Sequence, residues 1–161
     1  MMSNDNYQRL IRLAEETFSM RTDPEQLQVD ESVIRQLKEI HPFTMNESRD
    51  EQGPVAWLLV IPTSLELMDK FISGEINEGQ LFEMTMPGKV YEALYFCSAL
   101  VLEEHQRQGI ASRLAIEAIQ EIRKEHPLKA LFVWALSEGG DRASELVAEK
   151  TGLKLYKRAK V

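Results

Sequence analysis

Leu100-Val101-Leu102-Glu103-Glu104-His105-Gln106-Arg107-Gln108-Gly109-Ile110-Ala111-Ser112 is the stretch on which the reading of this chain turns. An apolar run ends at Leu102, a short polar loop follows, and an amphipathic helix opens at or near Gly109. A helix start presents unpaired amide N–H groups and the positive end of the macrodipole, so it receives anions, most commonly phosphate. Gly109 lets a phosphate approach the backbone closely and Ala111 is too small to block it. Arg107 adds charge at the rim, and Arg113 lies one turn further on. The same residues also suit an ordinary strand-to-helix connection with a surface arginine. There is no Gly-Lys-Ser/Thr of a Walker loop, and the single loop glycine does not make a dinucleotide fingerprint.

Downstream, Gln108 to Glu125 reads as a helix with Ile110, Leu114, Ala115, Ala118, Ile119 and Ile122 on one face. Pro127 stops it. Leu131 to Leu136 is a short apolar strand. Asp141 to Lys150 is a helix with Ala143, Leu146 and Val147 inward and Gly152 at its end, and Leu153 to Tyr156 is a last strand. Upstream, Lys89 to Leu102 is a long extended candidate, entered by a turn at Met86-Pro87-Gly88-Lys89. A short helix covers Glu78 to Glu83. Before it, Thr63 and Glu66 form a capping-box pattern that opens a helix carrying Leu65, Met68, Phe71 and Ile72. Pro54 to Ile61 is a strand apolar enough to be buried on both faces, and the polar segment Met45 to Gly53 reads as a loop. Two helices precede it: Ser3 to Met20, and Asp30 to Ile40 with Asp30 as N-cap, ended by His41-Pro42. Strands alternating with helices in the second half imply an α/β sheet with helical cover.

Composition bounds the rest. With 161 residues, 43% hydrophobic and 28% charged, the chain suits one ordinary globular domain. A net charge of −7 argues against nucleic-acid binding by phosphate neutralisation and leaves room for cationic substrates. The opening MMSNDNYQRL lacks an apolar signal core, and no apolar run is long enough to cross a membrane, so a cytoplasmic address is expected. The single cysteine, Cys97, excludes an intramolecular disulfide, and three scattered histidines offer no zinc cluster.

Gln106-x-x-Gly109-x-Ala111, following a long strand and opening an amphipathic helix, resembles the acetyl-CoA pyrophosphate loop of the GCN5-related N-acetyltransferase (GNAT) superfamily. The order of elements from Lys89 to the end is similar as well. The resemblance implies one α/β domain over residues 1–161: a mixed central sheet flanked by helices on both faces. In it, residues 89–161 form the acetyl-CoA half, and residues 1–88 form a divergent, mostly helical half with one strand. It further implies that two parallel strands splay apart to admit the pantetheine arm. Leu100, Val101 and Leu102 would pair with pantetheine through their main chain, and Arg107, Gln108, Gly109, Ile110, Ala111 and Ser112 would hold the pyrophosphate. An N–H near Val101 would polarise the thioester carbonyl, and an amine would attack it directly.

The family's Asn-x-x-Ala-x-x-x-Tyr falls here on Asp141, Ser144 and Ala148, so the tyrosine that protonates the leaving thiolate is missing. Asp141 is carried over as a cofactor contact. Ser144, water or a residue of the divergent half could supply the proton; a CoA thiol has a pKa near that of cysteine and can also leave without help. Tyr91, Tyr95 and Tyr156 could line an acceptor pocket or replace the acid. Glu92 lies near the position of the family's glutamate base, although counting places Ala93 there, and one residue reverses a strand's face unless a bulge intervenes. Cys97 reads as a buried, inert thiol. The expected function is acetyl transfer from acetyl-CoA to a primary amine, small molecule or protein amino group, with no metal, nucleic acid or membrane partner and room for a homodimer. The alternative is an acyl-CoA-binding or sensing module that has lost turnover.

Overall fold

The computed structural model describes residues 5–19, 31–134 and 138–158. Within them run α1 (Asp5–Ser19), α2 (Glu31–Ile40), β1 (Met45–Asp50), β2 (Gly53–Thr63), α3 (Leu65–Ile72), α4 (Glu78–Met84), β3 (Ala93–Val101), a 3-10 turn (Glu103–His105), α5 (Ile110–Arg123), β4 (Ala130–Trp134), α6 (Glu138–Thr151) and β5 (Lys154–Arg158). The five strands form one sheet in chain order. β1, β2 and β3 pair antiparallel; β3, β4 and β5 pair parallel, with α5 and α6 as the crossovers. The sheet is therefore mixed, as expected.

Two cores line its two faces. One gathers Leu10 of α1, Val55 and Leu58 of β2, Leu94 and Phe96 of β3, the inner face of α5, and Val147 of α6. The other holds Leu37 of α2, Met68 and Phe71 of α3, Leu81 and Phe82 of α4, with Ile61, Tyr95 and Phe132 from the sheet. Helices thus cover both faces, and β2, apolar on both sides, is buried along almost its whole length. Pro54 sits where the β1–β2 register shifts, a place where a missing N–H costs the ladder nothing.

Three readings of the chain change. Met45–Asp50 is the edge strand β1, not a loop, so residues 1–88 carry two strands. The cap of α3 is Ser64, whose side chain accepts from Leu67 N, while Thr63 remains in β2 and bonds Thr85 Oγ1 at 2.7 Å. Lys89–Glu92 precedes β3 without joining it. The proposed N-cap Asp30 lies outside the described residues. Among the described residues, no helix is long and apolar enough to cross a membrane.

Candidate functional site

β3 runs on past its described pairing with β4. β3 pairs with β4 only from Ala93↔Ala130 to Phe96↔Val133, yet it continues to Val101. On the other side its register with β2 steps from Val60↔Phe96 to Leu59↔Ser98, which leaves Cys97 as an extra, bulged residue. A bulge bends its strand and increases the local twist. Here it falls at the level where the pairing of β3 with β4 stops. Among the described residues, the β4-side edge of β3 beyond Cys97 has no strand beside it.

That edge leads directly into the loop. Leu102 N donates to Val55 O of β2 at 2.9 Å. Strand alternation then turns the peptide groups of Val101 to the opposite edge, where its carbonyl accepts Gln106 Nε2 at 3.1 Å. The loop is built from local bonds: His105 N to Leu102 O at 2.8 Å, Gln106 N to Glu103 O at 3.2 Å, and Gln108 Nε2 to Glu104 O at 3.2 Å. Arg107 then takes φ +65°, in the left-handed region that side chains other than glycine rarely occupy. Gly109 follows at φ +76° as the N-cap of α5, with no side chain capping the first turn. A Cβ built at Gly109 meets nothing within 4 Å, so the space above it is open.

Leu100, Val101 and Leu102 therefore lead along β3 to Arg107, Gln108, Gly109, Ile110, Ala111 and Ser112 at an uncapped helix start, and of the three strand residues only Val101 turns its peptide groups to the β4-side edge. Arg107, Gln108 and Gly109 are exposed; Leu102, Ile110 and Ser112 are buried and fasten the loop to the core. Two acidic residues, Glu103 and Glu104, belong to this loop, and Glu104 is gripped by Arg9 of α1 with two bonds of 2.6 Å. Chiefly through that bond, its pKa is lowered to about 2. His105 Nε2 lies 3.6 Å from Asp50 at the end of β1.

The remaining sequence candidates lie elsewhere. Glu92 sits at the foot of β3, its Oε2 2.8 Å from Lys129 Nζ and its main chain tied to Thr63 and Lys129. At ~3.3 Å per residue it is about 16 Å down the strand from the bulge. Ser144 is fully buried in α6. Asp141 lies on α6, its side chain outside the described residues. Tyr91 donates its hydroxyl to Met86 O at 2.6 Å.

A group that the sequence reading passed over stands at the bulge. Glu78, at the start of α4, accepts the Tyr95 hydroxyl at 2.6 Å, and Cys97 Sγ lies 3.7 Å from the same oxygen. Burial, and next the charge of Glu78, hold the Tyr95 pKa well above its usual value. The available signal was spacing: Glu78 shares a helix face with Leu81 and Phe82 at i+3 and i+4, which turns a carboxylate towards the core.

The described chain thus defines an α/β protein with a mixed five-stranded sheet, whose third strand runs past its described pairing with β4 towards a helix N-terminus. No family model matches the chain, and no curated protein or solved structure is found similar to it.

Proposed function

We propose that this protein is an N-acetyltransferase that moves an acetyl group from acetyl-CoA to a primary amine by direct attack. The observation that carries the reading is the stretch of β3 beyond Cys97, which has no described strand on its β4 side and runs into the uncapped start of α5. Pantetheine is an amide-bearing, extended arm. It can pair with the β4-side edge of β3 at the Val101 N–H as an added strand would. The diphosphate end then reaches the amides of Ile110, Ala111 and Ser112, with Gly109 giving room and Arg107 supplying charge. The residues fit such a ligand: polar donors lie at one end, a strand edge lies along its length, and Arg9 offsets the charge of Glu104.

Chemistry follows from the same placement. An N–H of the freed edge near Val101 can polarise the thioester carbonyl as negative charge builds on its oxygen. Attack needs a neutral amine, so a proton must first leave the acceptor. A thiolate of cysteine-like pKa is a fair leaving group without an acid.

A second reading is an acyl-CoA-binding or sensing module without turnover. It is favoured by Ala148 at the place of the family's tyrosine and by the enclosure of Ser144.

One pair of measurements decides between these readings. Acetyl-CoA raises Tm by mass action if the loop binds it. Thiol release with a panel of primary amines then separates enzyme from module. Absence of a Tm shift with both acetyl-CoA and CoA at saturating concentration overturns both readings.

A further inference from the structure

A cavity of about 270 Å³ lies between the ends of α2 and α4. One wall comes from α2, where Glu39 and Ile40 share a face with Gln36 at i+3 and i+4. The other comes from Phe82 and Glu83 of α4 and the turn that follows through Met86. Thr85 fixes its level on the sheet. Its hydroxyl bonds Thr63 Oγ1 at 2.7 Å, and Thr63 pairs with Ala93, the first residue of β3. Roughly 25 Å of strand separates that level from Val101, where the loop to α5 begins.

The floor of this cavity is closed to further hydrogen bonding. Ile40, Phe82 and Thr85 are buried. The Thr85 hydroxyl donates to Leu81 O at 2.8 Å, and its N–H donates to Phe82 O at 3.2 Å. The rim is different. The Glu39 and Glu83 side chains, one on each wall, are exposed and have no hydrogen-bond or ion-pair partner among the described residues. Two carboxylate acceptors above an apolar floor call for a cationic donor on an apolar stem. The chain beside them adds apolar surface: Met84, Met86 and Val90 are all exposed, and Met86 lines the cavity. Apolar surface gathered in this way marks a place where another molecule lies, and methionine adapts its shape to one. The walls are held before anything binds. The Tyr91 hydroxyl donates to Met86 O at 2.6 Å, and His41 N donates to Leu37 O at 3.1 Å at the end of α2.

We infer that this cavity docks a segment of another protein, which places one arginine side chain between Glu39 and Glu83. Size favours a side chain over a free ligand, because pockets for drug-sized ligands run to ~300–1,000 Å³ and this one is smaller. Charge favours a basic segment, since the rim carries two unpaired carboxylates on a chain of net charge −7. Arginine fits better than lysine: its planar head spreads five donors that can serve acceptors on both walls, and it sheds water more readily. Its stem lies over Ile40 and Phe82, while apolar neighbours in the segment cover Met84 and Met86. An arginine anchored in a pocket and ringed by apolar contacts that exclude water is the arrangement from which interfaces draw most of their affinity. The inference is independent of the transferase reading, and a partner held at the foot of β3 leaves the loop at its other end open.

The full chain is titrated with a capped leucine–arginine–leucine tripeptide and followed by two-dimensional amide NMR. Saturable shifts are expected at residues 36–40 and 82–87. Glu39→Gln and Glu83→Gln each weaken binding about threefold and together about tenfold, the scale of exposed ion pairs. Both side chains are exposed, so Tm stays at the wild-type value in either variant. The same tripeptide with citrulline in place of arginine keeps the shape without the charge. It is expected to bind wild type about tenfold more weakly and to lose nothing further in the double variant. Equal affinity for the two peptides overturns the arginine assignment. Shifts that do not saturate, or that spread over the surface, overturn the site. Shifts at the same residues that grow with protein concentration alone, before any peptide is added, give the cavity to a second copy of this chain and overturn the foreign partner.

Discussion

Arg9 of α1 holds Glu104 of the loop through two parallel bonds of 2.6 Å, joining elements 95 residues apart. The pair is half exposed, so its worth in stability is only ~0.2–1 kcal/mol. Its larger effect is electrostatic: the guanidinium offsets a carboxylate beside the start of α5. Arg9→Met leaves Glu104 free to repel a diphosphate. Affinity for acetyl-CoA is expected to fall about three- to tenfold, the scale of ~1 kcal/mol, with only a small change in Tm. Titration calorimetry of both proteins checks this, and equal affinities would remove Arg9 from the site. The linkage has a sign. The pKa of Glu104 is depressed from 4.5 to about 2, so its contribution is present above 4.5 and is lost as pH falls towards 2.

Gly109 is replaceable in space but not in conformation. At φ +76° with nothing within 4 Å of a built Cβ, Gly109→Ala meets no clash and costs ~1–2 kcal/mol for the left-handed backbone alone. Gly109→Glu adds a carboxylate at the uncapped amides. Both variants are expected to melt lower than wild type by similar amounts, while only Gly109→Glu loses the Tm shift with acetyl-CoA. A shift that survives in Gly109→Glu would place the diphosphate elsewhere.

The loop was legible because it is local: strand end, glycine and helix start are neighbours in sequence, and the amphipathic face of α5 announces itself. β1 was not, because Met45–Asp50 is a polar edge strand. It is held by backbone pairing to β2 and has little apolar alternation to betray it. The bulge was equally hidden, since Cys97 extends an apolar run without marking which residue loses its partner. Glu78 meets Tyr95 and Cys97 only through folding: 17 and 19 residues separate it from them. The shift of the α3 cap from Thr63 to Ser64 has a similar origin, because pairing of Thr63 with Ala93 keeps that residue in the sheet.

At the far end of β3, His126 accepts the Tyr91 N–H on Nδ1 at 3.3 Å and packs against the Tyr91 ring. Burial, and then the neighbouring His41, lower its pKa below 6.5. The unfolded chain therefore binds the proton more readily, and stability falls as pH drops through 6.5 towards the folded-state value. His126→Asn, which keeps an acceptor but cannot titrate, should flatten Tm against pH across that window. Parallel curves for the two proteins would assign the acid sensitivity to other groups.

Arg107 sets stability against function at a single residue. Its backbone at φ +65° carries strain of order 1–3 kcal/mol, and its exposed side chain contributes no packing to offset that. Glycine relieves the strain and returns ~0.5–1 kcal/mol of it through the greater freedom of the unfolded chain. Arg107→Gly is thus expected to gain about 1 kcal/mol in urea denaturation. The same change removes the cation at the rim of the proposed diphosphate site, so acetyl-CoA should bind more weakly and with a shallower dependence on salt, because an exposed charge acts through screened attraction. The two readouts move in opposite directions only if the strained conformation exists to present the guanidinium to a phosphate. A variant that gains stability and binds acetyl-CoA as tightly as wild type would make Arg107 a strained bystander, and the pyrophosphate would then rest on the α5 amides alone.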